Sequence, residues 1–197
     1  MPRLLANPEH VIDAYPSDRT PIDLSRYTSG NFDRGASRIR EALWVLVKCT
    51  FFLNPLPLPS GLRCRLLRLF GATVGKGVVI RSRTNISFPW RLSIGDHSWI
   101  GEQVEILSLA RVRIGSHVCI SQRAYLCTGS HNFRSAGFSL VTRPITVEDH
   151  SWVAANAFIC PGVTIGERSM VGAGVTVTSD VPAGVRLIAA EPRIEIN

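Results

Sequence analysis

The sequence predicts an all-β solenoid, a stack of triangular coils built from short parallel strands. Three observations carry that expectation. An aliphatic residue opens every hexad from Val147 to Pro182, namely Val147, Val153, Ile159, Ile165, Val171 and Val177. The same step runs upstream through Val74, Ile80 and Ile86, then Ile94, Ile100 and Ile106, then Ile114, Ile120 and Leu126. A small residue usually follows, as at Gly75, Gly95, Gly101 and Gly115, where a tight corner needs a small or φ-permissive residue. A helix would space its apolar residues three and four apart, and a free strand would alternate them. A step of six does neither. It fits a chain that makes a short strand, turns and repeats, with three hexads closing one coil. Each opening aliphatic then points inward, and stacking joins units that could not fold alone into one core. Val74 to Ile94 and Ile94 to Ile114 are each twenty residues apart, so two coils carry a two-residue insertion at a corner. About five coils at ~4.8 Å each give a prism roughly 24 Å tall.

The elements follow in order. Residues 1–35 form an arm in which Pro2, Pro8, Pro16 and Pro21 break any long element. Order is expected there only where the arm lies on the body or on a neighbouring subunit. Residues 36–72 form an amphipathic helical cap. Within it, Arg38 to Leu53 is a helix candidate with Ile39, Leu43, Leu46, Val47 and Phe51 on one stripe, widened by Trp44 and Phe52. Lys48 interrupts the apolar run, which is too short to span ~30 Å of hydrocarbon. Pro55-Leu-Pro-Leu-Pro59 is extended. Leu62 to Phe70 is a second helix candidate, carrying Arg63, Arg65 and Arg68. The two helices are expected to hide the open end of the stack, an edge that would otherwise recruit another chain. A seat on an anionic inner leaflet is compatible with that role. Coils occupy residues 73–185, interrupted by a loop at 131–146 where the six-residue step fails. Loops of this length in a compact domain are usually functional. Residues 186–197 are a tail.

With 197 residues and 45% hydrophobic content, the chain can build one well-filled domain. Its five cysteines are an odd number without metal or disulfide spacing, and they read as buried small residues in a reducing compartment. The opening Met-Pro-Arg-Leu-Leu-Ala has no long apolar core, so no signal peptide is expected and the cytoplasm is the expected location. The net charge of +7 is almost wholly arginine, since Lys48 and Lys76 are the only lysines. Arginine's planar fork suits phosphate and carboxylate. No nucleic-acid motif accompanies the charge, so nucleic acid is not an expected partner. A phosphorylated cofactor, an anionic sugar carrier and a membrane surface all stay open.

The five histidines sort by position. His10 lies in the arm, and His97, His117 and His150 share the fourth place of hexads that open a coil. A three-histidine zinc site draws its ligands from one level, not up a ladder. These three therefore read as solvated corner residues, and no metal is expected. His131 ends Leu126-Cys-Thr-Gly-Ser-His131, where coil gives way to loop. An imidazole that titrates near neutrality and is held by a rigid coil can accept a proton from an attacking hydroxyl.

With these residues in place, the chain resembles the hexapeptide-repeat acyltransferases, whose fold is a left-handed parallel β-helix. Within them it is similar to the colanic acid biosynthesis O-acetyltransferases. The likeness rests on the hexads, on Ser121-Gln-Arg-Ala-Tyr-Leu-Cys-Thr-Gly-Ser-His131, and on Ser151-Trp-Val-Ala with Pro161-Gly-Val-Thr-Ile-Gly166. Asp23-Leu-Ser, Leu66-Leu-Arg-Leu-Phe-Gly-Ala72 and Phe88-Pro-Trp90 add to it, so it covers nearly everything after about residue 20. The resemblance implies a homotrimer with three sites between neighbouring stacks. Acetyl-CoA would lie along the groove and pass its acetyl group directly to a hydroxyl, with His131 as general base. Ala154 and Ala155 fall where backbone groups meet the thioester end, and a backbone donor near Ala154 would serve the oxyanion. Ala173, Thr178 and Ser179 fall at the cofactor's middle, and Arg193 falls near its phosphates. Relatives often carry Gly-Asn-Pro where this chain has Ala190-Glu-Pro192, and Lys where it has Ser179. Glu105 stands where related sugar acetyltransferases carry an acceptor-contacting Asn. It is open to orienting His131, holding a sugar hydroxyl or being a plain exposed carboxylate. Tyr125, Asn132 and Trp152 would line an acceptor pocket. The expected activity is acetyl transfer to a sugar hydroxyl of an exopolysaccharide precursor, free or lipid-linked, with peripheral contact at the inner membrane. The alternatives are a small acceptor such as a free sugar, serine or a drug hydroxyl, and a non-catalytic scaffold in a polysaccharide assembly complex.

Overall fold

The structure, a computed structural model, describes residues 21–30 and 32–189. Its body is a parallel β-helix with three strand faces. The first face stacks Thr73–Val74, Leu92–Ile94, Val112–Ile114, Ile145–Val147 and Thr164–Ile165. The second stacks Val79–Ile80, Trp99–Ile100, Cys119–Ile120, Trp152–Val153, Met170–Val171 and Arg186–Leu187. The third stacks Asn85–Ile86, Glu105–Leu107, Tyr125–Cys127, Phe158–Ile159 and Thr176–Val177. Five coils are complete and a sixth begins. The repeat therefore outlasts its expected end at 185, because Arg186–Leu187 pairs with Met170–Val171.

Register places like on like: Ile80 faces Ile100, and Ile100 faces Ile120. Of the fifteen hexad-opening aliphatics, none is more than 8% exposed. At ~1.5–3 kcal/mol for each fully buried aliphatic, this column is the main driving force of the fold. Buried hydroxyls satisfy the corners. Ser98 Oγ donates to the Gly115 carbonyl at 2.7 Å and accepts from the Val118 amide at 3.0 Å. Ser151 Oγ repeats the link to the Gly166 carbonyl at 2.8 Å.

The corners decide which of the two demands, smallness or a permissive φ, the second place answers to. Left-handed backbone falls in the fourth place of the hexad, not the second. Arg83, His97, Gln103, His117, Arg123, His150, Asn156 and Arg168 all have φ between 56° and 61°. The second-place glycines answer to crowding instead. A Cβ at Gly101 would lie 2.8 Å from the Gln122 amide nitrogen of the next coil. Gly101→Ala is expected to cost about 1–3 kcal/mol by overpacking, seen as a lower urea midpoint with an unchanged slope. His97, His117 and His150 stack as an exposed ladder, with ring centroids 5.3 and 5.1 Å apart.

The cap consists of α1 (Arg38–Val47), a π-helical turn at Lys48–Phe52, and α2 (Ser60–Leu69). Ser37 starts α1 by accepting a hydrogen bond from the Arg40 amide at 3.3 Å. Of the expected inward stripe, Val47, Phe51, Trp44 and Phe52 do pack on the core, and the rest turns outward. Ile39, Leu43 and Leu46 are 52–75% exposed, whereas Trp44 is 1% exposed. The indole wins the inward position because it packs at 5.2 Å from both Phe52 and Phe70 and donates Nε1–H to the Ile86 carbonyl at 2.9 Å. Arg63 is also inside, at 2% exposure. It donates to the carbonyls of Phe51 at 2.9 Å, Leu58 at 2.8 Å, and Leu56 and Ile80 at 3.3 Å. Burial pulls its pKa down. These carbonyls give the buried guanidinium the partners that burial demands. Among the described residues, no helix is long and apolar enough to cross a membrane.

Candidate active site

The corner between the third and first faces carries the excursion, which is a β-hairpin and not an irregular loop. Gly129–His131 pairs antiparallel with Leu140–Thr142, with His131 opposite Leu140. The hairpin leaves after Cys127, and the coil resumes at Ile145. The departure is therefore earlier than the expected 131–146, and the return comes within that range. Stacking is undisturbed, since Val147 still faces Ile114.

His131 closes the first hairpin strand with its imidazole held on two counts. Its Nδ1 lies 2.9 Å from the Phe138 carbonyl oxygen. A carbonyl can only accept, so Nδ1 carries the hydrogen and Nε2 of the neutral ring keeps its lone pair. The Phe138 ring stacks on the imidazole, with centroids 4.3 Å apart and planes 6° from parallel. Phe138 adopts φ of 46°, an uncommon position for an aromatic residue. Its amide bond to the Ser135 carbonyl at 2.9 Å fixes it there. The arm also arrives at this point. The Asp23 amide donates to the Ala136 carbonyl at 2.8 Å, and the Tyr27 ring sits 5.8 Å from the imidazole. His131, Asn132, Arg134, Arg143 and Pro161 are among the residues lining a cavity of about 450 Å³. Its two guanidiniums favour an anionic ligand.

The other expected site residues lie on the faces and the next corner. Asn132 uses Oδ1 to accept the Arg134 amide at 3.0 Å, which shapes the hairpin turn. Glu105 is exposed and accepts from Asn85 Nδ2 at 3.1 Å. The contact that orients His131 Nδ1 is thus the Phe138 carbonyl and not Glu105. Tyr125, opposite Glu105 in register, packs edge-on against Phe158 at 5.1 Å. Trp152 projects from the second face, 45% exposed, and donates Nε1–H to Ser121 Oγ at 2.8 Å. The Ala154 amide is already committed to the Val171 carbonyl at 2.9 Å. A backbone donor at this corner therefore has to be Ala155, one residue on. The Ala155 carbonyl accepts from the Gly174 amide at 2.9 Å, which stacks Ala173 on the same edge. Thr178 and Ser179 follow the third face one coil beyond Cys160 and Pro161. Arg193 lies outside the described residues.

Residues 144–179 match the family described as bacterial transferase hexapeptide (six repeats). Over 163 residues the chain is 42% identical to the putative colanic acid biosynthesis acetyltransferase WcaF of Escherichia coli K12, covering 83% of this chain and 90% of that protein. The chain belongs to the hexapeptide-repeat acyltransferase family. A second relative is the galactoside O-acetyltransferase of Escherichia coli K12, 32% identical over 138 residues, with 67% of this chain and 68% of that one covered. In three dimensions the fold is similar to the hexapeptide-repeat acetyltransferase of Vibrio cholerae O1 biovar eltor complexed with acetyl coenzyme A. The TM-score is 0.71 at 28% identity, covering 84% of this chain and 91% of that one.

Within one acyltransferase chain, His131, Asn132 and Pro161 meet at one corner, with Thr178 and Ser179 on the same edge. Trp152, Ala154, Ala155 and Ala173 belong to the second face and the corner after it, across the third face from His131. Phe138, Tyr27, Arg134 and Arg143 were not legible as site residues. They lie outside the hexads and reach His131 only through the folded hairpin and arm. Between the two edges, burial and then the neighbouring Cys127 push the Tyr125 phenol up to about 12. An unfolded tyrosine ionises near pH ~10. From there to pH ~12 the native chain holds a proton that the unfolded chain has lost, so Tyr125 lowers stability as pH rises through this window. Phenolate absorbance of a Tyr125→Phe variant, subtracted from wild type, is expected to show this tyrosine titrating above the pH ~10 of an unfolded one.

Proposed function

We propose that this acyltransferase is an acetyl-CoA-dependent O-acetyltransferase that acetylates a sugar hydroxyl during exopolysaccharide synthesis, with His131 as general base. The observation that carries this reading is the bond from His131 Nδ1–H to the Phe138 carbonyl at 2.9 Å. It leaves Nε2 as the proton acceptor beside a cavity lined by Arg134 and Arg143.

A thioester is already activated, so the protein's task is positioning, one proton transfer and oxyanion stabilisation. His131 Nε2 takes the acceptor's hydroxyl proton as its oxygen attacks the acetyl carbonyl. The Ala155 amide donates to the oxyanion that forms, a contribution of ~10²–10³-fold for one such donor. Collapse expels the coenzyme A thiolate, and the imidazolium returns its proton to that sulfur, which restores neutral His131. The acetyl ester is the second product.

Two corners separated by a strand face suit a homotrimer in which Ala155 of one copy approaches His131 of the next. The exopolysaccharide acceptor is supported by the relative named for colanic acid biosynthesis, and the sugar hydroxyl by the relative named for galactosides. Titration with coenzyme A by calorimetry, followed by thiol release with lipid-linked repeat units from the native host, tests the reading. Absence of coenzyme A binding would leave only a scaffold. Thiol release with free galactosides but not with repeat units would move the acceptor to a small sugar.

A further inference from the structure

The chain climbs the prism coil by coil, so sequence position maps to height. Residues 34–91, which form the cap and first coil, hold eleven of the 22 Lys and Arg, ten of them besides the buried Arg63, and Glu41 is their sole acid. Glu41 is itself bound to Arg34 at 2.7 Å. Residues 96–189 hold seven residues of each sign. The positive excess is therefore gathered at the cap end. The same end turns apolar side chains to solvent: Ile39, Leu43, Val45 and Leu46 of α1, Leu56 of the linker and Leu69 of α2 are each 51–75% exposed. Cationic charge around exposed aliphatics, almost without acids, is the pattern that lies flat in the headgroup region of an anionic bilayer. The ten residues of α1 reach ~15 Å, half of what a span needs. A second copy would bring one strongly positive end against another, which like-charge repulsion opposes.

We propose that the cap end of the prism is a docking surface for anionic phospholipid, with α1 inserting Ile39, Leu43 and Leu46 among the headgroups and Lys48 and Arg65 beside them. The site is separate from His131, and its test reads binding, not turnover. Full-length protein is spun with sucrose-loaded phosphatidylcholine vesicles, with and without phosphatidylglycerol. Co-sedimentation is expected with the anionic vesicles alone, and it should weaken in ~1 M salt, where screening is within ~3 Å. The double variant Leu43→Glu, Leu46→Glu is expected to lower vesicle affinity about 100-fold. Lys48→Gln with Arg65→Gln is expected to lower it about tenfold. Unchanged circular dichroism confirms that both are folded. Wild type left in the supernatant with anionic vesicles overturns the proposal, as does undiminished binding by the leucine variant. A folded leucine variant that elutes as a smaller species than wild type assigns the face to another copy and also overturns it.

Discussion

Replacing His131 by alanine is expected to lower turnover roughly 10²–10⁴-fold, the usual contribution of a positioned general base. The expectation rests on geometry already in place before substrate binds. The Phe138 carbonyl holds the proton on Nδ1, and the Phe138 ring fixes the plane of the imidazole. Alanine removes the acceptor nitrogen and leaves the thioester's own reactivity and the backbone donor untouched. Affinity for coenzyme A is expected to hold, because the proposed thioester contacts lie at the Ala155 corner. His131 is half-buried beside a cavity, so water can reach the orphaned Phe138 carbonyl. The cost in stability is then within about 1 kcal/mol. Single-turnover acetyl transfer and calorimetry separate the two effects. A variant that keeps full turnover would strip His131 of its role.

Trp44→Ala carries the largest expected effect on stability. The indole is buried against Phe52 and Phe70 and satisfies the Ile86 carbonyl at the end of the first coil. Truncation opens a cavity worth ~3–5 kcal/mol, a large part of the ~5–15 kcal/mol that holds a domain. Trp44→Phe keeps much of the packing and drops the hydrogen bond, so about 1–3 kcal/mol is expected from the unpaired carbonyl. In a solenoid each coil leans on its neighbours, which makes the damage directional. Amide exchange is expected to rise first at Ile80 and Ile86, and later at Ile120 and Leu126. Uniform loss of protection along the stack would show that Trp44 does not act as an end plug.

The coil stack was legible because each hexad repeats one local instruction and all share a single inward column. The conformation of the fourth place was not. Gly77, Gly162, Gly174 and Asn156 hint at it, but arginine, histidine and glutamine hold the other left-handed fourth places, and none of them announces positive φ in the way glycine does. The face of α1 was misread because Trp44 flanks the Ile39–Leu43–Leu46 stripe on the helical wheel. Only the rings of Phe52 and Phe70, supplied by the turn and α2, decide which side goes in. The hairpin was hidden for a related reason. Gly129-Ser-His131 and Leu140-Val-Thr142 show no apolar alternation, and their pairing draws on backbone bonds more than on burial. His131 stood out from its place at the end of a coil, whereas Phe138 and Tyr27 meet it only after the chain folds back.

The uninterrupted match of Ile114 with Val147 across that hairpin has a broader implication. The prism works like a handle with a detachable tool head. Inheritance can lengthen, shorten or reshape the head, and with it the choice of acceptor, while the grip below needs no retooling.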